Sequence, residues 1–254
     1  MKALLKKAAQ TAGTLLAPLF GRGAVVLMYH SVGDAGLFFT VTPEVFERQM
    51  RHLAEKQFRV VSLDALAEDR RKGAIPKKTV AITFDDGYRD NYLEALPVLK
   101  RYGFPATVFL SPGCMDKPRT VRGKALDMLS ESEVRELAAS GVTIGAHTMT
   151  HPKLTQIPAE EMRQEIQKSK EAVERITGMP CQHFAYPFGR VNEAVVRATR
   201  ESGFTQAYTT QDGVVRAGDD HFRLRRNSVD ATTSFGEFTH IVCAGRFSRA
   251  RFSV

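Results

Sequence analysis

The chain of 254 residues contains 43% hydrophobic and 25% charged residues and has a formal net charge of +8 at pH 7. This balance, without internal repeats or low-complexity tracts, excludes a disordered or repetitive chain and predicts one globular unit. Three cysteines, an odd number without metal-type spacing, argue against a disulfide framework. The positive charge is diffuse and lacks an aromatic-interleaved basic motif, which favours a solvated surface over a nucleic-acid partner.

Residues 1–22 are predicted to form an N-terminal helix or a segment at a membrane surface. Their apolar residues fall near one helical face, and the lysines lie largely off that face. The segment imitates a signal peptide, but Gln10, Thr11 and Thr14 interrupt its apolar run, and it is too short and polar to span a bilayer. We therefore expect a cytoplasmic protein, peripheral on the membrane where this helix binds it, with export to the periplasm or cell envelope as the alternative.

Residues 23–232 alternate between strand-like and helix-like patterns and are predicted to form the catalytic domain. Short apolar, β-branched runs occupy residues 24–28, 59–63, 80–84, 106–110, 142–146, 183–186 and 206–210. Helical patterns occupy residues 43–57, 91–102, 158–177 and 192–202, and a capping box at Ser130 and Glu133 begins another helix that stops at Gly141. Strands that alternate with helices predict an α/β fold with a parallel sheet or barrel. Residues 233–254 are predicted to be a C-terminal helix and a basic tail.

Two adjacent carboxylates follow the third predicted strand. Asp85 and Asp86 come directly after residues 80–84, and Gly87 lets the chain turn sharply. Consecutive side chains diverge on an extended backbone, so one carboxylate can bind a metal while the other accepts a proton. The alternative is an acidic turn or a helix N-cap, since Asp-Asp-Gly is common in turns.

Two histidines, His147 and His151, follow another predicted strand. Pro152 disfavours helical geometry at His151, so the pair is predicted to span a turn and a loop. Two imidazoles and one carboxylate at strand ends would form a facial metal site with open positions for water and substrate. A lone histidine is more often structural, but a pair at one strand end that faces two carboxylates at another favours a metal site.

Two further strand ends carry candidate groups. Tyr29 and His30 close the first strand, where an imidazole is suited to protonating a leaving amine, with a core or surface histidine as the alternative. The turn after the sixth predicted strand contains Tyr186, Pro187 and Phe188. Backbone N–H groups in this turn can face the site as oxyanion donors.

Together these motifs resemble the polysaccharide deacetylases with a NodB homology domain, carbohydrate esterase family 4. The resemblance extends from about residue 24 to about residue 229. Its blocks are Thr-Phe-Asp-Asp-Gly at 83–87, Ala-Leu-Pro-Val-Leu at 95–99, Gly-Phe-Pro-Ala-Thr-Val-Phe at 103–109, His-x-x-x-His at 147–151 and Tyr-Pro-Phe-Gly at 186–189. The resemblance implies a distorted (β/α) barrel of about seven strands and hydrolysis of N-acetyl groups on glucosamine-type units.

The resemblance also implies roles for individual residues. Asp85 resembles the catalytic base, and Phe188 stands where the family's backbone oxyanion donor lies. Tyr186, Pro187 and Tyr29 belong to the same blocks and are assigned to oxyanion or substrate binding. The cofactor would be a divalent metal, zinc first, with cobalt, nickel or manganese as alternatives. The residues that resemble its ligands are Asp86, His147 and His151.

The sequence departs from the family pattern in three respects. The general acid histidine of the family usually lies in a Leu-x-x-His block near the C-terminus. The nearest candidate here is His240, which lacks the strand pattern that precedes this block. The block around His30 instead resembles the permuted poly-N-acetylglucosamine deacetylase branch, so His30 is assigned as the acid. The arginine that orients the base is replaced by Ala185, and the tryptophan of the fourth block is absent. The arginines that could supply the charge missing at position 185 are Arg223, Arg225 and Arg226.

These observations predict a metal-dependent hydrolase that removes N-acetyl groups from N-acetylglucosamine-containing polysaccharide or oligosaccharide and releases acetate. The expected partner is an N-acetylated glycan, with no nucleic acid, and the charge is compatible with peripheral contact to an anionic membrane. Two alternatives stay open, a hydrolase of a small non-sugar amide and an inactive glycan-binding relative. Residues 111–129 are predicted to form a surface loop, with a rim loop that touches substrate as the alternative.

Overall fold

Parallel strands dominate the computed structural model, which describes residues 23–245. The strands of this part of the chain are β1 (Ala24–Tyr29), β2 (Ser31–Val32), β3 (Thr40–Val41), β4 (Arg59–Val60), β5 (Thr79–Asp86), β6 (Thr107–Leu110), β7 (Arg119–Val121), β8 (Lys124–Leu126), β9 (Thr143–Ala146), β10 (His183–Ala185), β11 (Gln206–Tyr208) and β12 (Asn227–Ser228). The α-helices are α1 (Pro43–Glu55), α2 (Leu63–Arg71), α3 (Leu96–Tyr102), α4 (Glu131–Ala139), α5 (Ala159–Thr177), α6 (Glu193–Glu201) and α7 (Phe235–Ala244). A π-helical turn, Asn91–Ala95, leads directly into α3.

The main sheet has the strand order β11-β10-β9-β6-β5-β1-β12, and β4 also pairs with β5. All of these pairings are parallel. Leu224 exchanges backbone hydrogen bonds with Ala207 and Thr209, and Val229 donates to the carbonyl of Met28. The segment between Leu224 and Val229 therefore bridges the two ends of the strand order. The sheet curls into a distorted (β/α) barrel, which confirms the predicted fold class.

The two faces of the central strand have different environments. On β5, Val80, Ile82 and Phe84 belong to the large apolar cluster that includes the helices. Ala81 belongs to a smaller cluster that contains residues of β1, β6, β10 and β11 together with Leu63 and Leu66 of α2. Because side chains alternate along a strand, Asp85 shares the face of Ala81 and points into the barrel. Alternation thus separates the two carboxylates at the end of β5.

Most of the elements predicted from periodicity are confirmed, with ends that differ by a few residues. One helical prediction was wrong in kind, because residues 91–102 form a π-helical turn followed by α3. Helix α2 was not predicted, since the apolar run at residues 59–63 continues across its N-cap, Ser62, and was interpreted as strand. The antiparallel hairpin of β7 and β8 lies inside the predicted surface loop.

The predicted domain boundaries at residues 22 and 232 stay a prediction. The C-terminal helix is present as α7, and its N-cap Ser234 accepts a hydrogen bond from the backbone N–H of Glu237. The N-terminal segment of residues 1–22 and the basic tail of residues 246–254 lie outside the described residues. Across residues 23–245, no helix is long and apolar enough to cross a membrane.

Gly145 of β9 is predicted to be intolerant of any side chain. A Cβ there would lie 2.6 Å from Cδ1 of Phe109 and 3.0 Å from the carbonyl oxygen of His183, and Phe109 is itself fully buried. We expect Gly145→Ala to lower the free energy of unfolding by about 1–3 kcal/mol, the usual cost of overpacking. Urea denaturation measures this change.

The matched control is Gly236→Ala, in the first turn of α7, where a Cβ would meet nothing within 4 Å. Replacing an unhindered helical glycine by alanine is expected to stabilise the protein by roughly 0.4–1 kcal/mol. An equal loss of stability in both variants would contradict the close-packing argument for Gly145.

Candidate metal centre and catalytic site

Asp85 and Arg226 form a buried ion pair inside the barrel. Nη1 and Nη2 of Arg226 donate to Oδ1 and Oδ2 of Asp85 at 2.6 and 2.7 Å, and the side chains are 0% and 3% exposed. Arg226 also donates to the carbonyl of Thr209 and to the hydroxyl of Thr83. This bidentate geometry fixes the plane of the carboxylate. Arg226 therefore supplies the charge that the sequence lacks at Ala185.

The charges around Asp85 keep its carboxylate ionised. Burial alone raises the pKa of Asp85, but the charge of Arg226 and its hydrogen bonds to the carboxylate outweigh burial and hold the pKa below its usual value. An ionised carboxylate with both oxygens bonded is held in one orientation. Asp85 thus has the charge state that a proton acceptor needs.

The other cations and the other histidine considered from the sequence are engaged elsewhere. Arg223 donates to Glu193, and Arg225 donates to the backbone carbonyl of Asp212. His240 is exposed on α7. None of the three replaces the contacts that Arg226 makes in the barrel.

Asp86, His147 and His151 form a compact cluster of potential metal ligands. Oδ1 of Asp86 lies 3.1 Å from Nε2 of His151 and 3.7 Å from Nε2 of His147. One ligand atom from each residue lies within 4.8 Å of the others. The two histidines lie in the loop after β9 rather than in a helix, as the proline after His151 predicted. The structure therefore brings together the three residues proposed as ligands.

The ring of His147 is held in the orientation that a metal ligand requires. Its Nδ1 lies 2.7 Å from the backbone carbonyl of Ala185, and this contact requires the hydrogen on Nδ1 and leaves a lone pair on Nε2. Burial lowers the pKa of His147 to about 4, so its imidazole is neutral near pH 7. The hydroxyl of Ser111 donates to the backbone carbonyl of His147 at 2.8 Å.

Four residues at the site have left-handed backbone conformations that side chains disfavour. The φ angles are 76° at Asp86, 64° at Thr148, 63° at His151 and 59° at Phe188. Each such residue costs of order 1–3 kcal/mol, and such strain clusters at functional sites. At Asp86 the positive φ ends the alternation of β5, and its side chain lies beside His151. Backbone strain and ligand placement therefore coincide.

Glu165 of α5 anchors the loop that carries the two histidines. Its Oε2 accepts hydrogen bonds from the backbone N–H groups of Met149 and Thr150, both at 2.8 Å. Its Oε1 accepts the hydroxyl of Thr150 at 2.7 Å. The N–H of His151 donates to the hydroxyl of Thr148 at 3.0 Å. Sequence reasoning missed Glu165, because one glutamate among several on a polar helix carries no distinguishing signal.

The donor set fits a divalent transition metal such as zinc. One carboxylate and two imidazoles match the three protein ligands of a catalytic zinc site, which leaves positions for water and substrate. Oδ1 of Asp86 is buried and has no well-formed hydrogen bond within the described residues. A buried carboxylate oxygen without a hydrogen-bond donor is costly, and a bound cation relieves that cost.

Arg119, in the hairpin of β7 and β8, lies behind two of these ligands. Its Nη1 is 3.1 Å from Oδ2 of Asp86, and its Nη2 is 3.5 Å from Nδ1 of His151. The insertion therefore reaches the candidate metal centre, which favours the rim-loop alternative over a remote surface loop. No motif distinguished Arg119 from the neighbouring cations of this insertion.

His30 and Phe188 lie at the edges of the same site. The register pairs Tyr29 with Phe84, so the next residue after β1, His30, lies beside the next residue of β5, Asp85. The ring of Phe188 packs edge-on against His151 with 4.7 Å between centroids and is 51% exposed. Phe188 is therefore available at the surface beside the candidate metal centre.

Tyr29 and Tyr186 have no exposed surface at this site. The hydroxyl of Tyr29 donates to Gln49 at 2.8 Å, and the hydroxyl of Tyr186 donates to the carbonyl of Phe222 at 3.0 Å. Both rings are fully buried, and Pro187 is buried as well. In this conformation the two tyrosines support the strand ends. Their assignment to substrate binding stays a prediction without a contact that supports it.

Comparisons with known proteins show to which family the chain is similar. The sequence matches the polysaccharide deacetylase family over residues 72–207. YxkH of Bacillus subtilis, whose name places it among the polysaccharide deacetylases, is 30% identical over 220 residues, which cover 84% of this chain and 74% of YxkH. A poly-β-1,6-N-acetyl-D-glucosamine N-deacetylase of Staphylococcus epidermidis is 26% identical over 197 residues, covering 74% of this chain and 67% of that protein.

A solved structure gives the same result. The crystal structure of BC0361, a polysaccharide deacetylase from Bacillus cereus, superimposes with a TM-score of 0.73 at 31% identity, over 87% of this chain and 69% of that one. The family match over residues 72–207 includes both carboxylates and both histidines. By sequence and by structure, the chain belongs to the polysaccharide deacetylase family.

Proposed function

We propose that the protein is a metal-dependent hydrolase that removes N-acetyl groups from N-acetylglucosamine-containing polysaccharide or oligosaccharide and releases acetate. The observation that carries this proposal is the pairing of a buried, ionised Asp85 with an adjacent Asp–His–His cluster. The relative from Staphylococcus epidermidis, a poly-β-1,6-N-acetyl-D-glucosamine N-deacetylase, supports the choice of substrate.

The chain's own residues divide the work of amide hydrolysis. Asp86, His147 and His151 would hold the metal through Oδ1 and the two Nε2 atoms. A divalent ion there supplies Lewis acidity, which polarises the substrate carbonyl and makes a water molecule more acidic. Arg226 holds Asp85 in place, and Asp85 accepts a proton from water while the water oxygen attacks the carbonyl carbon of the substrate.

The leaving amine requires a proton when the carbon–nitrogen bond breaks. His30 emerges beside Asp85 and is proposed to donate this proton to the amine nitrogen. The backbone N–H of Phe188 is proposed to donate a hydrogen bond to the developing oxyanion. Water is consumed, and the products are acetate and a glucosamine unit with a free amine.

Acetate release with and without chelator tests the function as a whole. We expect release from N-acetylglucosamine oligomers, loss of release after chelation, and recovery on adding zinc. His147→Ala and His151→Ala should lose both metal and activity, because each removes one of three ligands. Release only from small acetamides would favour the small-amide alternative, and oligomer binding without release would favour an inactive relative.

Asp85→Asn tests the proton acceptor separately from the metal. The amide keeps the size of the side chain but cannot accept the proton, so we expect kcat to fall by about 10²-fold or more. Bound metal, measured per protein chain, should stay unchanged, because Asp85 is not in the ligand cluster. Asp127→Asn, at an exposed carboxylate 4.0 Å from Arg89, serves as the control. Wild-type turnover in Asp85→Asn would remove Asp85 from the mechanism.

Arg226→Lys tests the replacement for the missing arginine. Lysine keeps the charge but cannot make two parallel hydrogen bonds to Asp85, so the carboxylate loses its fixed plane. We expect kcat to fall roughly 10- to 100-fold, the scale for a misplaced catalytic group. The matched control is Arg225→Lys, since Arg225 is exposed and donates a hydrogen bond to the backbone carbonyl of Asp212. Equal kinetics in the two variants would show that the ion pair does not orient the base.

A further inference from the structure

The segment that follows the two carboxylates contacts the backbone that carries His30. Nδ2 of Asn91 donates to the backbone carbonyl of His30 at 2.8 Å. Asn91 is 2% exposed and begins the π-helical turn four residues after Gly87, the last residue of the Asp-Asp-Gly motif. π-helical turns interrupt regular helices and occur often at functional sites. The turn thus places an amide donor against the residue proposed as the acid.

Asp90 holds the next two residues of the same strand end. Its Oδ2 accepts the hydroxyl of Ser31 at 2.6 Å, and its Oδ1 accepts Nδ2 of Asn91 at 3.0 Å. The backbone N–H of Val32 also donates to the Asp90 carboxylate. Three consecutive residues, from His30 to Val32, are therefore bonded to two adjacent side chains.

The ring of His30 contacts Phe39, which in turn packs against Tyr88. Phe39 lies 5.8 Å from His30, between ring centroids, and stacks on Tyr88 at 5.5 Å with an interplanar angle of 18°. Tyr88 directly follows Gly87 of the carboxylate motif. The segment after Asp86 therefore contacts His30 in two ways. Asn91 bonds directly to the backbone of His30, and Tyr88 supports Phe39, which contacts the His30 ring.

We infer that Asp90 and Asn91 are positioning residues that set the location of His30 relative to Asp85. This inference rests on the proposed function, in which His30 protonates the leaving amine. An apolar pair would stabilise the turn without leaving a buried polar atom unsatisfied, yet Oδ1 of Asn91 is buried without a hydrogen-bond partner in residues 23–245. The need to hold the backbone of His30 in place explains why an amide side chain occupies position 91.

The test compares two substrates that differ in their need for an acid. An N-acetylglucosamine oligomer loses an amine that must be protonated, whereas 4-nitrophenyl acetate loses a phenolate that needs no proton. We expect Asn91→Ala to lower kcat on the oligomer about tenfold, with KM changed less than about twofold, because a misplaced group slows the chemical step. Turnover of the ester should stay within about twofold of wild type, and so should zinc affinity in competition with a chromophoric chelator.

His30→Ala supplies the reference pattern, with a larger loss on the oligomer and little change on the ester. Ser31→Ala removes only one donor to Asp90 and should show a smaller loss of the same kind, which keeps the inference testable where Asn91→Ala does not fold. Thr199→Val deletes a buried hydrogen bond to the Val195 carbonyl in α6 and should change neither substrate's turnover.

The outcomes separate the inference from the proposed function. Equal losses on oligomer and ester in Asn91→Ala and Ser31→Ala would mean that these residues act on the whole site, and the positioning role would fail. Losses confined to the oligomer in His30→Ala but absent from both other variants would keep the acid and overturn the positioning role. A wild-type protein without oligomer turnover would refute the proposed function itself.

Discussion

The bidentate ion pair between Asp85 and Arg226 is the constraint on which the rest of the site depends. Two charges inside a barrel are stable only when each is paired and hydrogen-bonded, and removing one partner of a buried pair typically costs about 3–5 kcal/mol. The Thr83 hydroxyl and the Thr209 carbonyl accept two further hydrogen bonds from Arg226. Arg226 directly precedes β12, which pairs with β1. Closure of the barrel and ionisation of the base are therefore coupled.

This pair also explains how the site functions with alanine at position 185. Because Arg226 enters from the far end of the chain, β10 need not carry a cation, and a fully buried Ala185 fits inside the barrel. The backbone carbonyl of Ala185 is then free to accept Nδ1 of His147 at 2.7 Å. The backbone at position 185 thus orients His147, one of the proposed metal ligands, while Arg226 orients Asp85.

The sequence predicted the α/β class, its main strands and the residues at their carboxyl ends, because periodicity and motifs are local properties. It could not choose Arg226 from three nearby arginines, since that choice depends on contacts across 141 positions. Glu165 and Arg119 were missed for the same reason: each acts through tertiary contact and lies in an ordinary polar context. The π-helical turn at Asn91–Ala95 was missed because its apolar spacing also suits an α-helix.

The positions of the proposed functional residues in space depend more on the order of the strands in the sheet than on the order of the residues along the chain. His30 follows β1, Asp85 lies in β5, and Arg226 precedes β12, yet β1 pairs with both of the other strands. The proposed acid, His30, therefore follows the strand next to Asp85, and Arg226 reaches Asp85 from one strand further on, inside the barrel. Parallel strands bring their carboxyl ends to one edge of the barrel, where catalytic groups in such folds gather. The block that contains His30 can therefore stand at the start of the chain and still lie beside Asp85, because β1 pairs with β5.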